Sequence, residues 1–137
     1  MACERPHPTH YPRNALKALG WAAAVLAGAL FSGARRLQRL EVAGDSMRPA
    51  FEPGDRLLAV RLGRIRAGDV VAVPAPRDAT RLIVKRVASV SGPTLVLRGD
   101  NEAASTDSRS FGPVPSSSVA GRVFYRYSPP ERVTWWP

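Results

Sequence analysis

The chain has 137 residues, a length that is enough for one folded domain and little more. Of these residues 45% are hydrophobic, and the formal net charge is +9. Its basic residues are spread along the sequence, so charge alone does not indicate a nucleic-acid-binding protein. The single cysteine, Cys3, excludes an internal disulfide framework and a cysteine-based metal site. His7 and His10 both lie near the amino terminus, which argues against a Ser-His-Asp triad. Of the 20 Lys and Arg residues only Lys17 and Lys85 are lysines, the type that can lose its proton at accessible pH.

The amino-terminal segment predicts a tail followed by a membrane anchor. Residues 1–14 are polar with three prolines and are predicted to be disordered. Residues 18–34 are seventeen residues without a charge, and a helix of that length spans about 26 Å, slightly less than the ~30 Å hydrocarbon core. We expect a transmembrane helix over 15–36; a cleaved signal peptide and a buried or interfacial helix are the alternatives. Basic residues flank both ends, so the orientation stays open.

After the apolar segment the pattern changes to short runs of Val, Ile and Leu separated by turn residues, which is typical of an all-β domain. Turn signals lie at 53–55, 67–69 and 91–93. We predict a compact bent sheet or partial barrel over 37–130 and a carboxyl-terminal tail over 131–137. The predicted strands are 37–42, 56–60, 70–73, 81–90, 94–98 and 121–127.

The first segment with polar residues that a plain β-domain does not need is GlyAspSerMetArgPro at 44–49. It places Ser46 in a Gly-containing turn just after a strand, where a nucleophile and an oxyanion hole can share one loop. The alternative is that Ser46 only caps the turn that begins at Met47.

The second segment is the strand around Lys85. Alternation puts Leu82 and Val84 on one face and Ile83, Lys85 and Val87 on the other, so the lysine shares its face with β-branched apolar residues. Burial disfavours the ammonium form, and a lysine that works as a base near neutral pH needs its pKa lowered by about 3 units from ~10.4. A surface lysine on an edge strand is the alternative.

The third segment, residues 98–114, is too long and polar for a hairpin turn and predicts an ordered loop. Asp107 and Arg109 can pair within it, and Asp100 and Asn101 can bond backbone groups. Ser105 or Ser108 can present a hydroxyl to a buried amine. A calcium loop is the rival interpretation, but the acidic spacing does not fit and an arginine opposes a cation. We therefore expect no metal and no other cofactor.

Together these segments resemble the signal peptidase I family of serine/lysine proteases, over nearly all of residues 41–127. The matching motifs, in family order, are GlyAspSerMet at 44–47, GlyAspValVal at 68–71, ValLysArgVal at 84–87 and GlyAspAsn with SerThrAspSerArg within 99–109. The resemblance implies an all-β catalytic domain with Ser46 as nucleophile and Lys85 as general base.

The resemblance also assigns supporting roles. It makes Ser105 the residue that orients the lysine amine, and it makes Asp107 and Arg109 a structural ion pair. Some members carry a second oxyanion-hole serine two positions before the nucleophile; this chain has Gly44 there, as other members do. The main-chain N–H of Ser46 remains as the implied donor.

Only twelve residues separate Arg86 from Gly99, so the additional β-domain of the larger bacterial members has no room. The short form resembles the mitochondrial inner-membrane peptidases and, more closely, the short actinobacterial nickel-type superoxide dismutase maturation proteases. The resemblance implies a single-pass protein of the cell membrane with its catalytic domain on the outer face. The implied substrate is a protein cleaved near its amino terminus after a small residue. Membrane lipid is an expected partner and nucleic acid is not, while the oligomeric state is open.

Two other function classes remain at this point. A non-enzymatic β-domain with an Arg-rich surface would bind anionic lipid or nucleic acid. An autoproteolytic Ser/Lys regulator would need a cleavable linker and a DNA-binding helical module, which the short tail and apolar segment do not resemble.

Overall fold

The structure, a computed structural model, describes residues 37–61 and 63–136. The predicted tail over 1–14 and the predicted helix over 15–36 lie outside these residues. Within the part that is described, no helix is long and apolar enough to cross a membrane.

The described residues form one antiparallel sheet, which confirms the all-β prediction. Its order is β1-β2-β7-β3-β4-β5-β6, with β8 pairing β7. All six predicted strands are present, and the three predicted turns connect or precede them. The strands are β1 (Leu37–Glu41), β2 (Arg56–Val60), β3 (Val70–Ala75), β4 (Asp78–Ser91), β5 (Thr94–Arg98), β6 (Val114–Pro115), β7 (Gly121–Ser128) and β8 (Thr134–Trp135).

The long strand β4 connects two parts of the sheet. Its first half pairs with β3 and its last residues pair with β5. Side chains of β4 alternate between two hydrophobic clusters, because Val84 packs against one that contains Phe51, whereas Ile83 and Val87 belong to the other. The predicted alternation is therefore confirmed for Ile83, Val84 and Val87, and the pairing of β3 with β4 places Lys85 in register with Val71.

Loop 98–114 is ordered by short helical turns, as its length and polarity predict. A 3-10 turn covers Glu102–Ala104, and helix α1 covers Ser108–Phe111. The Asp107 carboxylate accepts from the Arg109 N–H and so caps α1. Loop 98–114 returns to the sheet through β6, a two-residue strand that the sequence did not predict.

The segment from residue 131, predicted as a tail, packs against the sheet. Strand β8 pairs with β7, and the Trp136 N–H donates to the Phe124 carbonyl at 2.7 Å. The Trp136 ring lies 4.5 Å from the ring of Phe51, between centroids. The described residues after 130 thus belong to the domain and cover the loop that follows Ser46.

Candidate active site

Ser46 lies in a 3-10 turn, Asp45–Met47, that follows β1. Main-chain bonds close this part of the chain, with Arg48 N–H donating to Asp45 O at 3.1 Å and Phe51 N–H donating to Met47 O at 2.9 Å. Met47 and Phe51 are buried in the first hydrophobic cluster, while Ser46 is half-buried. The apolar anchors and main-chain bonds therefore hold the turn without using the serine hydroxyl as its cap.

Lys85 is buried, with 3% of its surface exposed, so the alternative of a surface lysine is wrong. Its Nζ donates to the Ser105 hydroxyl at 2.9 Å. Burial lowers the pKa of Lys85 because it penalises the ammonium form; the Asp107 charge opposes this effect and the Arg109 charge adds to it. The environment therefore shifts Lys85 toward the neutral amine.

Asp107 is a fully buried anion that orients Ser105. The Ser105 hydroxyl donates to Asp107 Oδ2 at 3.0 Å, and Arg109 donates to both carboxylate oxygens, from Nε at 2.9 Å and from Nη2 at 2.8 Å. The Arg109 hydrogen bonds hold the pKa of Asp107 well below its usual value, against the opposing effect of burial. Ser105 stands between this carboxylate and Lys85, and the hydroxyl contacts both. Ser108, the other candidate, instead accepts from the Leu97 N–H at 2.8 Å.

Gly99 is where loop 98–114 meets the Ser46 turn. A Cβ atom there would clash with the Ser105 side chain and would lie 2.6 Å from the Ser46 carbonyl oxygen. The Asn101 N–H donates to that same oxygen at 3.0 Å. Gly99 also donates its N–H to Asp107 Oδ2 at 3.0 Å. The sequence offered only one signal of this close approach between loop 98–114 and the Ser46 turn, the glycine that begins the GlyAspAsn motif.

We expected Asp100 to bond a backbone group, but among the residues that the structure describes its carboxylate pairs instead with Arg86. Arg86 Nε and Nη2 each lie 2.7 Å from one oxygen of the carboxylate, and Nη1 donates to the Gly68 carbonyl at 3.0 Å. Asn101 does bond the backbone, through its own N–H. Asp100 and Asp107, the carboxylates of the calcium alternative, thus face two different guanidinium groups.

Ser46 and Lys85 line one open groove of about 820 Å³. Residues 41–47 lie along one part of it, and residues 81–85 of β4 lie along another. Sequence reasoning missed the remaining lining residues, because nothing in their local pattern relates them to Ser46. They are Ala75, Pro76, Arg77, Ala104, Thr106, Ser110 and Phe111.

Comparisons with known proteins agree with this arrangement. The model of the family described as signal peptidase, peptidase S26, matches residues 13–98 and 94–128. The mitochondrial ATP-independent inner membrane protease subunit 1a of Arabidopsis thaliana is 38% identical over 117 residues, covering 66% of this chain and 70% of that protein. The human mitochondrial inner membrane protease subunit 1 is 32% identical over 110 residues, covering 63% and 66%. Human subunit 2 is 29% identical over 117 residues, covering 66% and 67%.

The chain thus spans about two thirds of the length of these relatives. The family match extends across both segments that line the groove, the Ser46 turn and the Lys85 strand, and continues through loop 98–114. This chain is therefore a member of the S26 signal peptidase family.

Proposed function

We propose that the chain is a membrane-anchored serine endopeptidase that removes an amino-terminal segment from a protein, with Ser46 as nucleophile and Lys85 as general base. The observation that carries the proposal is the burial of Lys85 beside the groove that Ser46 also lines. A buried amine with a lowered pKa is what a lysine needs to accept a proton near neutral pH.

The proposed reaction has two stages. In the first, neutral Lys85 Nζ takes the Ser46 hydroxyl proton as Oγ bonds to the substrate carbonyl carbon. That proton then passes to the leaving amine as the peptide bond breaks, which leaves an acyl-enzyme. In the second stage Nζ takes a proton from water as the water attacks the ester, and the proton returns to Ser46. Ser105 accepts from Nζ at 2.9 Å and would keep the amine aimed into the groove.

Stabilisation of the oxyanion falls to main-chain donors in this proposal. Gly44 has no side chain to donate, so the N–H of Ser46 is the implied donor. Two features support a fixed orientation of this turn, the Asn101 hydrogen bond to the Ser46 carbonyl and the complete burial of Met47 and Phe51. A preorganised donor needs no rearrangement as the charge develops.

The substrate is proposed to add as an extended segment along the groove, with a small residue before the cleaved bond. Residues 15–36 would anchor the enzyme, and the catalytic domain would face outward, as in a signal peptidase. Protease protection of a tagged carboxyl terminus in intact cells tests this side of the membrane. A general signal peptidase and a dedicated maturation protease remain the two forms of the proposal, and comparing processed proteins in cells with active and inactive enzyme separates them.

The central experiment measures cleavage by the full chain in detergent of peptides that carry one small residue before the expected bond. We expect Ser46→Ala and Lys85→Arg each to lower kcat/KM by about 1,000-fold or more. Lys85→Arg keeps the positive charge and removes the base. Ser89→Ala, at an exposed position of β4, is the matched control and should cleave like the parent. Undiminished cleavage by either active-site variant would refute the assignment, and binding of anionic polymers without any cleavage would favour the non-enzymatic alternative.

A further inference from the structure

The groove changes character along its length. Around Lys85 the β4 wall is apolar, with Leu82, Ile83 and Val84 lining it, but beyond them Arg81 and Arg77 line the groove at the β3–β4 turn. Arg81 lies four residues before Lys85 on β4, next to the irregular pairing of β4 with β3 that separates Leu82 from Asp78. At ~3.3 Å per strand residue, their Cα atoms are at most about 13 Å apart.

The basic end of the groove retains its charge. Two acidic residues also line the groove, but each already has a cationic partner: Arg56 lies 3.7 Å from Glu41, and Arg48 lies 3.1 Å from Asp45. Among residues 37–61 and 63–136, no salt bridge involves Arg77 or Arg81.

Asp78 is the acidic residue nearest to this pair along the chain. Its carboxylate accepts the N–H of Thr80 at 3.0 Å and also accepts the Thr80 hydroxyl. These bonds, and to a smaller extent the Arg81 charge, lower the pKa of Asp78. Asp78 is not among the residues that line the groove. Arg77 and Arg81 therefore line the groove without a salt bridge among the described residues, while Asp78, whose hydrogen bonds come from Thr80, interacts with the Arg81 charge from outside the groove lining.

We propose that Arg77 and Arg81 form an anionic subsite that selects protein substrates with a carboxylate three to five residues from the cleaved bond. The inference rests on the proposed protease function and names its substrate class. A substrate strand beside β4 that reacts near Lys85 brings a residue at this separation level with Arg81. Guanidinium groups match the geometry of a carboxylate. A peptide carboxylate fits better than a lipid phosphate, because both arginines line the same concavity as Ser46.

The size of the effect follows from exposure. Both arginines are exposed, so each contact is screened by water and salt. We expect a gain in kcat/KM of about 3- to 10-fold for a correctly placed carboxylate.

The test uses the full chain in an uncharged detergent and peptides with one cleavage sequence. A single Glu is placed in turn at each of six positions on either side of the bond and compared with Gln at the same position. We expect Glu to exceed Gln by about 3- to 10-fold at a position three to five residues from the bond, and we expect added salt to reduce that ratio. The double variant Arg77→Gln/Arg81→Gln should bring the ratio to 1, while Arg64→Gln/Arg66→Gln, with the same loss of charge away from the groove, should preserve it.

Each other outcome overturns the subsite. These outcomes are a ratio of 1 at every position, a preference that survives the double variant, and an equal loss in the control. If anionic vesicles raise the cleavage rate of the parent above that in neutral vesicles, and the double variant loses this gain with an unchanged Glu/Gln ratio, the arginines contact lipid instead. If the parent cleaves none of the peptides, or if Ser46→Ala cleaves them all, the protease proposal itself fails, whereas cleavage without a Glu preference rejects only the subsite.

Discussion

Lys85 and Arg86 are neighbours on β4, yet the fold shifts the pKa values of their side chains in opposite directions. Lys85 is buried and contacts a hydroxyl, and burial lowers its pKa. The Arg86 side chain is 30% exposed and contacts a carboxylate at two points, and these Asp100 bonds raise its pKa. One strand thus presents a cation that tends to lose its proton beside one that keeps it.

Loop 98–114 contributes to this difference in pKa, because it places one carboxylate in direct contact with Arg86 and another near Lys85 with a hydroxyl between them. Asp100 reaches Arg86 directly at 2.7 Å. Asp107 is paired with Arg109, and Ser105 lies between Asp107 and Lys85. A direct carboxylate would stabilise the ammonium form, whereas the inserted hydroxyl holds the amine in place at a smaller electrostatic cost. We therefore expect the proposed active site to depend on the Ser105 hydroxyl between Asp107 and Lys85.

Among changes within loop 98–114, the largest effect should come from Gly99→Ala, which forces the loop away from the Ser46 turn. The added methyl clashes with Ser105 and crowds the Ser46 carbonyl, so Ser105 and the turn that carries the proposed nucleophile must shift, and kcat/KM should fall by at least about 100-fold. Gly44→Ala is the matched substitution, because its Cβ position has no heavy atom within 4 Å and its φ of −133° suits any residue. It should cost a few-fold at most. If the two substitutions lower kcat/KM equally, the lack of room for a side chain at position 99 is not what the site requires.

Ser105→Ala removes the hydroxyl inserted between Asp107 and Lys85. The amine then loses its acceptor at 2.9 Å and its fixed direction, and we expect kcat to fall by about 10- to 100-fold with KM little changed. Ser105→Thr, which restores a hydroxyl, should recover part of the rate. Ser108→Ala controls for the loss of a serine from the same loop, since that hydroxyl bonds Leu97 rather than Lys85. A parallel rise in KM, or no recovery with threonine, would speak against a role in orienting Lys85.

Arg109→Gln should move the pH profile of activity to higher pH. The Arg109 charge lowers the pKa of Lys85 and the Asp107 charge raises it, so removing the arginine leaves the carboxylate uncompensated and raises the pKa. Less neutral amine is then present at pH 7, and kcat/KM there should fall several-fold, with recovery at alkaline pH. Arg86→Gln removes a neighbouring charge that pairs with Asp100, and it should leave the acid limb of the profile where it is. A shift of the acid limb to lower pH in Arg109→Gln would mean that the Arg109 charge does not lower the pKa of Lys85.

The strands could be predicted, and the candidate site residues could be proposed, because their signals are local. Alternation over 82–87 fixed the faces of β4, and short motifs identified Ser46, Lys85 and Ser105 as candidates. Strands β6 and β8 escaped prediction because two residues are too few to display a period.

The contacts that shape the site have no local signal. Asp100 and Arg86 are fourteen positions apart, and Trp136 packs on Phe51 from the opposite end of the domain. The resemblance assigned Ser105 to the lysine amine and paired Asp107 with Arg109, but the sequence does not show that the Ser105 hydroxyl also donates to Asp107. Only the fold shows that Lys85 is buried and that its Nζ contacts Ser105, and burial is the main cause that lowers its pKa.

The smallest expected effect concerns stability and tests the contrast between the two cations without any substrate. Because the pKa of Lys85 is lowered in the folded chain, the unfolded chain binds more protons between the folded pKa and the ordinary value of 10.5. The free-energy cost of burying the ammonium form therefore has its full value below the folded pKa. It falls to zero as the pH rises from the folded pKa to the ordinary value. Lys85→Met should therefore stabilise the chain by about 1 kcal/mol at pH 7, and the gain should shrink toward pH 10.

Denaturant unfolding of the full chain in detergent, at pH 7 and pH 10, measures this difference. Arg86→Met is the matched control: it leaves the Asp100 carboxylate without its bidentate partner, so it should destabilise the chain, and by a similar amount at both pH values. A stabilisation by Lys85→Met that stays constant with pH would mean that only packing, and not the buried charge, distinguishes the two side chains. A stabilisation that grows with pH would mean that the folded state raises the pKa of Lys85, contrary to its proposed role as a base.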